Sequence, residues 1–166
     1  RDDANAKAFD AQGWFHTGDL GRIDDDGFLY LTGRKKELIK TSGGKYVAPA
    51  KVEGRIKNDT LIGECVVVGD NRKYCVALVA FDPEALEDWA QRRGASADPY
   101  AEVLQAHVQK HMDTVNAGLA SFESIKYFRV LPEAPSVENG ELTASLKVKR
   151  NVVTERYASL IDEMYS

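Results

Sequence analysis

Two apolar runs, residues 64–69 and 74–81, are separated by only Asp70-Asn71-Arg72-Lys73. This pattern constrains the fold more than any other. Runs of that length, rich in valine and bounded by turn-forming residues, read as strands, and so short a polar link makes them a hairpin. Residues 125–131 read as a third core strand. Between them, Asp82-Pro83-Glu84 supplies an N-cap, a proline at the first helical position and an acid in the first turn, and Gly94 stops that helix. Tyr100, Val103, Leu104, Val108, Met112 and Val115 recur at helical spacing, which predicts an amphipathic helix from Pro99 to about Asn116. Pro49 opens another helix, through about Lys57. Val153, Tyr157, Leu160, Ile161 and Met164 mark a final one. Three strands with interleaved helices predict an α+β domain of α/β-like character, a small mixed sheet flanked by helices.

Ahead of this body, residues 21–31 carry a separate hairpin signal. Asp26-Gly27 suits a tight turn, and Phe28-Leu29-Tyr30-Leu31 follows as a strand. Residues 37–41 read as a further short strand ending at Ser42-Gly43-Gly44. The charged connection Arg34-Lys35-Lys36 has nothing apolar to bury, so a domain boundary is placed there. Residues 1–33 are then expected to be the tail of a larger domain, and residues 34–166 a compact unit. The chain starts at Arg1 rather than a methionine and reads as cut from a longer protein.

The net charge of −4 argues against a nucleic-acid binder, which usually carries a basic excess. Basic residues are nevertheless bunched at 34–40 and 147–150, which suits a small phosphate-bearing ligand. No apolar run approaches the roughly 18 residues of a membrane span. Cys65 and Cys75 lie inside the apolar runs without metal-type spacing and read as buried free thiols of a reducing compartment.

Several motifs invite chemistry. Ser42-Gly43-Gly44-Lys45 is not a Walker loop, because Ile39 and Tyr46 stand where that pattern requires glycine and Ser or Thr. His107 and His111 have the i, i+4 spacing of helical zinc ligands, but Val108 replaces the glutamate of the metalloprotease pattern, so no metal site is expected. Thr17-Gly18-Asp19 by itself makes a turn. The loop Asn139-Gly140-Glu141-Leu142-Thr143-Ala144-Ser145-Leu146-Lys147-Val148-Lys149-Arg150 is polar and runs into the last helix.

Taken together, Gly13-Trp14-Phe15-His16-Thr17-Gly18-Asp19, Gly33-Arg34-Lys35-Lys36-Glu37-Leu38-Ile39-Lys40 and the loop at 139–150 resemble the adenylate-forming superfamily. The likeness is to the C-terminal part of its long-chain fatty acyl-CoA synthetases. The resemblance implies a ligase that joins a fatty acid to ATP as acyl-AMP and then transfers the acyl group to CoA, with Mg2+ bound mainly by an N-terminal domain. It implies that Lys147 acts at the acyl-phosphate centre, with Lys149 as the competing assignment. Arg150 three residues on favours Lys147, although Leu146 stands where many relatives have glycine. It further implies ATP or AMP contacts for Asp19, Arg34, Lys40 and Lys45, a hinge at Lys36, and a CoA tunnel lined by Ser42, Gly43 and Gly44. The partners implied are the fatty acid, ATP, CoA and the N-terminal domain, in a cytoplasmic enzyme with scope for peripheral membrane association. Two rivals stay open: an acyl-AMP ligase that passes its acyl group to a carrier protein, and a non-catalytic ligand-binding module.

Overall fold

The computed structural model describes residues 8–166. β1 (Asp19–Ile23) and β2 (Leu29–Arg34) form an antiparallel hairpin. Asp24 shapes its turn by accepting the N–H groups of Asp26 and Phe28 on one carboxylate oxygen, and Gly27 takes a left-handed φ of 86°. A 3-10 turn at Lys35–Glu37 leads into a ribbon of two short strands, β3 (Ile39–Lys40) and β4 (Tyr46–Val47). β4 has too few residues to leave a periodic trace, so the sequence gives no warning of it.

The body is built on a three-stranded sheet of order β5-β6-β7, formed by Ile62–Val68, Cys75–Phe81 and Ile125–Val130. The expected hairpin is the antiparallel β5–β6 pair, and β7 lies parallel to β6. A parallel return needs a crossover. Here it consists of α2 (Pro83–Arg93) and α3 (Glu102–Ala117). Every residue of β6 is buried. Alternate side chains therefore serve two cores. Ala77, Val79 and Phe81 pack with Val52 and Ile56 of α1 (Pro49–Ile56), with Leu86 and Trp89 of α2, and with Leu104, Val108 and Met112 of α3. Val76, Leu78 and Ala80 face Val153, Tyr157, Ile161 and Met164 on the opposite side.

Capping follows the sequence at α2, where the Asp82 side chain accepts the Ala85 N–H and Gly94 closes the helix in the left-handed region. At α3 the expectation is wrong by three residues. Asp98 accepts the Tyr100 N–H and forms a local turn, so the helix starts at Glu102 and Tyr100 is 54% exposed. Val103 is 53% exposed, because the buried stripe runs through Leu104, Val108, Met112 and Val115 and leaves its neighbour one step around the helix. The single terminal helix is also two, α4 (Arg150–Arg156) and α5 (Ala158–Glu163), broken at Tyr157 with φ −103° and ψ 25°.

Among the described residues, the buried apolar side chains all lie between Ile39 and Met164. The β1–β2 hairpin contributes none. Ile23, Leu29 and Leu31 are aligned by the pairing of Ile23 with Leu29 and are all exposed.

Candidate nucleotide and acyl-transfer site

The loop carrying Lys147 is a tight β-like turn. Leu142 and Val148 bridge its base. The Thr143 N–H donates to the Lys147 carbonyl at 2.8 Å, and the Lys147 N–H returns a bond to Thr143 Oγ1 at 3.0 Å. Leu146 sits between them at φ 59°. The residue that replaces the expected glycine thus adopts the conformation a glycine would supply, at a steric cost of about 1–2 kcal/mol for an L-residue. The Lys147 side chain is exposed and joins no ion pair among the described residues.

Arg150 is not a second free cation. Its Nη1 donates to the Val67 carbonyl at 2.7 Å and its Nη2 to Glu53 Oε1 at 2.7 Å. The same Glu53 oxygen accepts the Val67 N–H at 2.8 Å. One arginine therefore clamps the loop's exit to both α1 and β5. Lys149 donates its backbone N–H to the Glu141 carbonyl at 2.7 Å and lines an open cleft of about 950 Å3 together with Lys36, Arg72, Thr143 and Arg150. Lys147 does not line that cleft.

On the amino-terminal hairpin, Asp19 and Arg34 are register partners, with Nε 3.0 Å from Oδ1. Thr17 Oγ1 accepts the Asp19 N–H, and the Lys35 N–H donates to the Gly18 carbonyl. Asp19, Arg34, Lys36 and His16 line a second cleft of about 860 Å3. Lys36 and Glu37 line both clefts, which places the expected hinge where the two meet.

The remaining expected contacts lie elsewhere. Ser42, Gly43 and Gly44 cross the exposed tip of the β3–β4 ribbon, where the buried Thr41 holds the turn by bonding Lys45 in both directions. The 70–72 turn braces this tip. Asp70 accepts the Lys40 N–H, Asn71 donates to the Lys40 carbonyl, and Ser42 donates to the Arg72 carbonyl. The Lys40 ammonium lies 6.0 Å from the Tyr46 ring and that of Lys45 lies 5.9 Å from the Phe122 ring. Neither lysine lines either cleft. The structure thus gathers Asp19, Arg34 and Lys36, and separates them from Lys40, Lys45 and the glycine tip.

His107 and His111 are engaged within the protein. His107 Nε2 is 2.6 Å from Asp59 Oδ2, and His111 Nε2 is 2.9 Å from the Ile56 carbonyl. No group of three or more His, Cys, Asp or Glu could hold a metal ion among the described residues. Both cysteines are free and buried. Burial pushes the Cys65 thiol well up, with the Glu53 carboxylate adding to it, and burial beside Glu123 lifts Cys75 to about 11. No helix among the described residues is long and apolar enough to cross a membrane.

Sequence reasoning missed Glu141. It sits inside the loop motif among polar residues, yet it is fully buried. Periodicity cannot expose such a residue, because the loop has none.

A small mixed sheet covered by helices on both faces, with a hydrogen-bonded lysine loop entering the last helical pair, defines the carboxyl-terminal lobe of an adenylate-forming enzyme. The family described as the AMP-binding enzyme C-terminal domain matches residues 36–166, and the chain belongs to it. It is 46% identical to the long-chain-fatty-acid–CoA ligase FadD15 of Mycobacterium tuberculosis over 98% of this chain and 28% of that protein. It is 36% identical to the long-chain-fatty-acid–CoA ligase ACSBG1 of Rattus norvegicus over 99% of this chain and 26% of that protein. The chain therefore spans under a third of the length of these relatives. Among solved structures it resembles the adenylation domain of a carboxylate reductase from Mycobacterium chelonae, with a TM-score of 0.78 and 29% identity over 99% of this chain and 25% of that one. The adenylation domain of the carboxylic acid reductase from Segniliparus rugosus, in complex with AMP and a co-purified carboxylic acid, gives 0.77 at 26% identity over 98% and 25%.

Proposed function

We propose that this chain is the mobile C-terminal lobe of a long-chain fatty acid–CoA ligase, and that Lys147 is its adenylation lysine. The observation that carries the reading is an exposed ammonium, without an ion pair among the described residues, on a loop fixed by its own hydrogen bonds. The likeness to ligases named for long-chain fatty acids supports the substrate class.

In the first half-reaction the fatty carboxylate attacks the α-phosphate of ATP. One carboxylate oxygen forms the new P–O bond, and pyrophosphate departs with the electrons of the broken one. Two anions must approach, and the Lys147 ammonium placed between them neutralises the charge as it concentrates. Such a donor is typically worth on the order of 3 kcal/mol in the transition state. Asp19 accepts hydrogen bonds from the ribose hydroxyls and Arg34 meets the sugar–phosphate region. In the second half-reaction the lobe turns about Lys36, withdraws Lys147 and presents the Ser42–Gly43–Gly44 tip to CoA. The CoA thiol then gives up its proton to solvent, its sulfur forms the new bond to the acyl carbonyl carbon, and AMP leaves with the electrons of the broken C–O bond. Lys40 and Lys45 lie beside that tip rather than beside Asp19, so they serve the phosphates only in one orientation of the lobe.

Residues 1–33 belong in this reading to the N-terminal, AMP-binding domain. The exposed apolar row Ile23, Leu29 and Leu31 supports it, since such a row is ordinarily covered in the whole protein. Mg2+ accompanies ATP, and its ligands are assigned to that larger body. The complete enzyme is read as cytoplasmic, a reading supported by two buried free cysteines of the kind a reducing compartment keeps.

The decisive measurement is Lys147→Ala in the complete enzyme. Acyl-AMP formation should fall far more than thioester formation from supplied acyl-AMP; equal loss in both would sink the assignment. Transfer to a carrier protein is the second reading, favoured by the likeness to the A–PCP didomain of the Segniliparus rugosus reductase, with a TM-score of 0.73. Offering the complete enzyme CoA and a phosphopantetheinyl carrier side by side separates the two.

A further inference from the structure

Glu141 is fully buried, and neither carboxylate oxygen has a hydrogen-bond partner. Its nearest cation is Arg156, with Nη1 3.3 Å from Oε1, an approach within ion-pair distance but without hydrogen-bond geometry. The buried Tyr157 hydroxyl also lacks a partner. It is close enough for the carboxylate to add to the burial that raises its pKa. Arg156 ends α4, and Tyr157 is the break before α5.

The backbone of the same residue is the crossing point of the lysine loop. The Glu141 N–H donates to the Ser136 carbonyl and to Asn139 Oδ1, both at 3.1 Å, and its carbonyl accepts the Lys149 N–H. Leu142, the next residue, opens the bridge to Val148. Both limbs of the turn that carries Lys147 therefore start from Glu141.

A buried carboxylate with one imperfect ion pair is an expensive way to fill space, since a neutral side chain of the same shape is often as stable or more so. Real folds break such local rules chiefly at functional or strained sites. We propose that Glu141 is a positioning residue for Lys147: its carboxylate, between Arg156 and Tyr157, ties the root of the lysine loop to the α4–α5 junction and so sets where the ammonium is presented. This inference rests on the adenylation reading of Lys147, and it adds a residue that touches no substrate.

The test uses the complete enzyme, with Glu141→Gln, Arg156→Met, the double variant and Lys147→Ala in parallel. Glutamine keeps the volume and removes the charge. Acyl-AMP formation should fall about tenfold in Glu141→Gln, the scale of a modest misplacement, while thioester formation from supplied acyl-AMP stays unchanged. The melting temperature should not fall, and amide exchange at Thr143, Leu146 and Lys149 should quicken. Arg156 is partly exposed, so Arg156→Met is expected to fold and to show the same selective loss, with the double variant no worse than either single one. Adenylation within twofold of normal in both single variants, with Lys147→Ala still inactive, overturns the proposal and leaves the lysine reading intact. A parallel fall of both half-reactions and of the melting temperature makes Glu141 ordinary core support and also overturns it. Normal adenylation in Lys147→Ala removes the lysine reading, and this proposal with it.

Discussion

Removing Arg150 should cost stability as well as chemistry, and the amount can be worked from its bonds. The guanidinium makes two charge-assisted hydrogen bonds, to Val67 O and Glu53 Oε1, both at 2.7 Å. Each is worth about 1.5 kcal/mol or somewhat more. Arg150→Met preserves much of the aliphatic stem, so the loss is mainly these bonds, about 3 kcal/mol in all. Two effects reduce it. The Arg150 side chain is 33% exposed, so water recovers part of the solvation, and Glu53 keeps the Val67 N–H. The expected destabilisation is about 2 kcal/mol, which for a chain of this size is roughly a 4–8 °C drop in melting temperature. Glu53→Gln should cost about 1 kcal/mol, because an amide oxygen can still accept from Val67. Urea denaturation of the four species in a double-mutant cycle gives the coupling, expected near 1.5 kcal/mol with an unchanged m-value. Coupling below about 0.5 kcal/mol, the range of a solvated surface pair, refutes the clamp.

Leu146→Gly should stabilise the loop locally by up to about 1 kcal/mol, the relief of the left-handed backbone less the added chain entropy of glycine; slower amide exchange at Leu146 and Lys147 checks it, and Leu146→Val should act in the opposite direction. Leu78→Ala, at a side chain with no exposure in the middle of β6, should cost about 2–5 kcal/mol, read by urea titration. Cys75 ionises at 9.0 in the open chain and at about 11 when folded. Between those values the unfolded state holds fewer protons, so the Cys75 contribution to stability is complete below pH 9 and is lost as pH rises toward 11; a Cys75→Ala variant should lose that component of the alkaline slope.

The body of the fold was legible because burial writes itself into the sequence as repetition. The runs at 64–69 and 74–81 and the cap–proline–glycine grammar around α2 each carry a local physical cause, and the structure obeys them. Where two causes competed, the pattern misled: Tyr100 and Val103 continued an apolar spacing, but the Asp98 turn decided where α3 begins. The site divided in the same way. Lys147, Asp19 and Arg34 are proposed from their motifs, which are local. Glu53 and Glu141 could not be reached that way, because Glu53 meets Arg150 across 97 positions and the burial of Glu141 depends on where Arg156 and Tyr157 arrive. A carboxylate's partner is a property of tertiary structure, and nothing in its neighbours along the chain announces it.

The contrast between the two charged ends of the proposed site follows from what each must do. In the proposed reaction Lys147 would have to enter a crowded anionic centre and leave again within one cycle. An ammonium locked in a buried pair would have to break that pair on every entry, a cost of several kcal/mol, whereas a hydrated one gives up only water. The price of leaving it unpaired is positional freedom, and the bonds between Thr143 and Lys147, together with the Arg150 clamp, restrict the backbone instead. Asp19 would have the opposite task in that reaction, receiving a ligand rather than travelling to one. Its pair with Arg34 is largely exposed, worth at most about 1 kcal/mol, so ribose hydroxyls can displace it cheaply while the guanidinium stays at hand for phosphate. A loop stiff in its backbone and free at its tip, together with a carboxylate whose partner is easily exchanged, is the division of labour the proposed reaction asks of a lobe that must arrive, neutralise charge and withdraw.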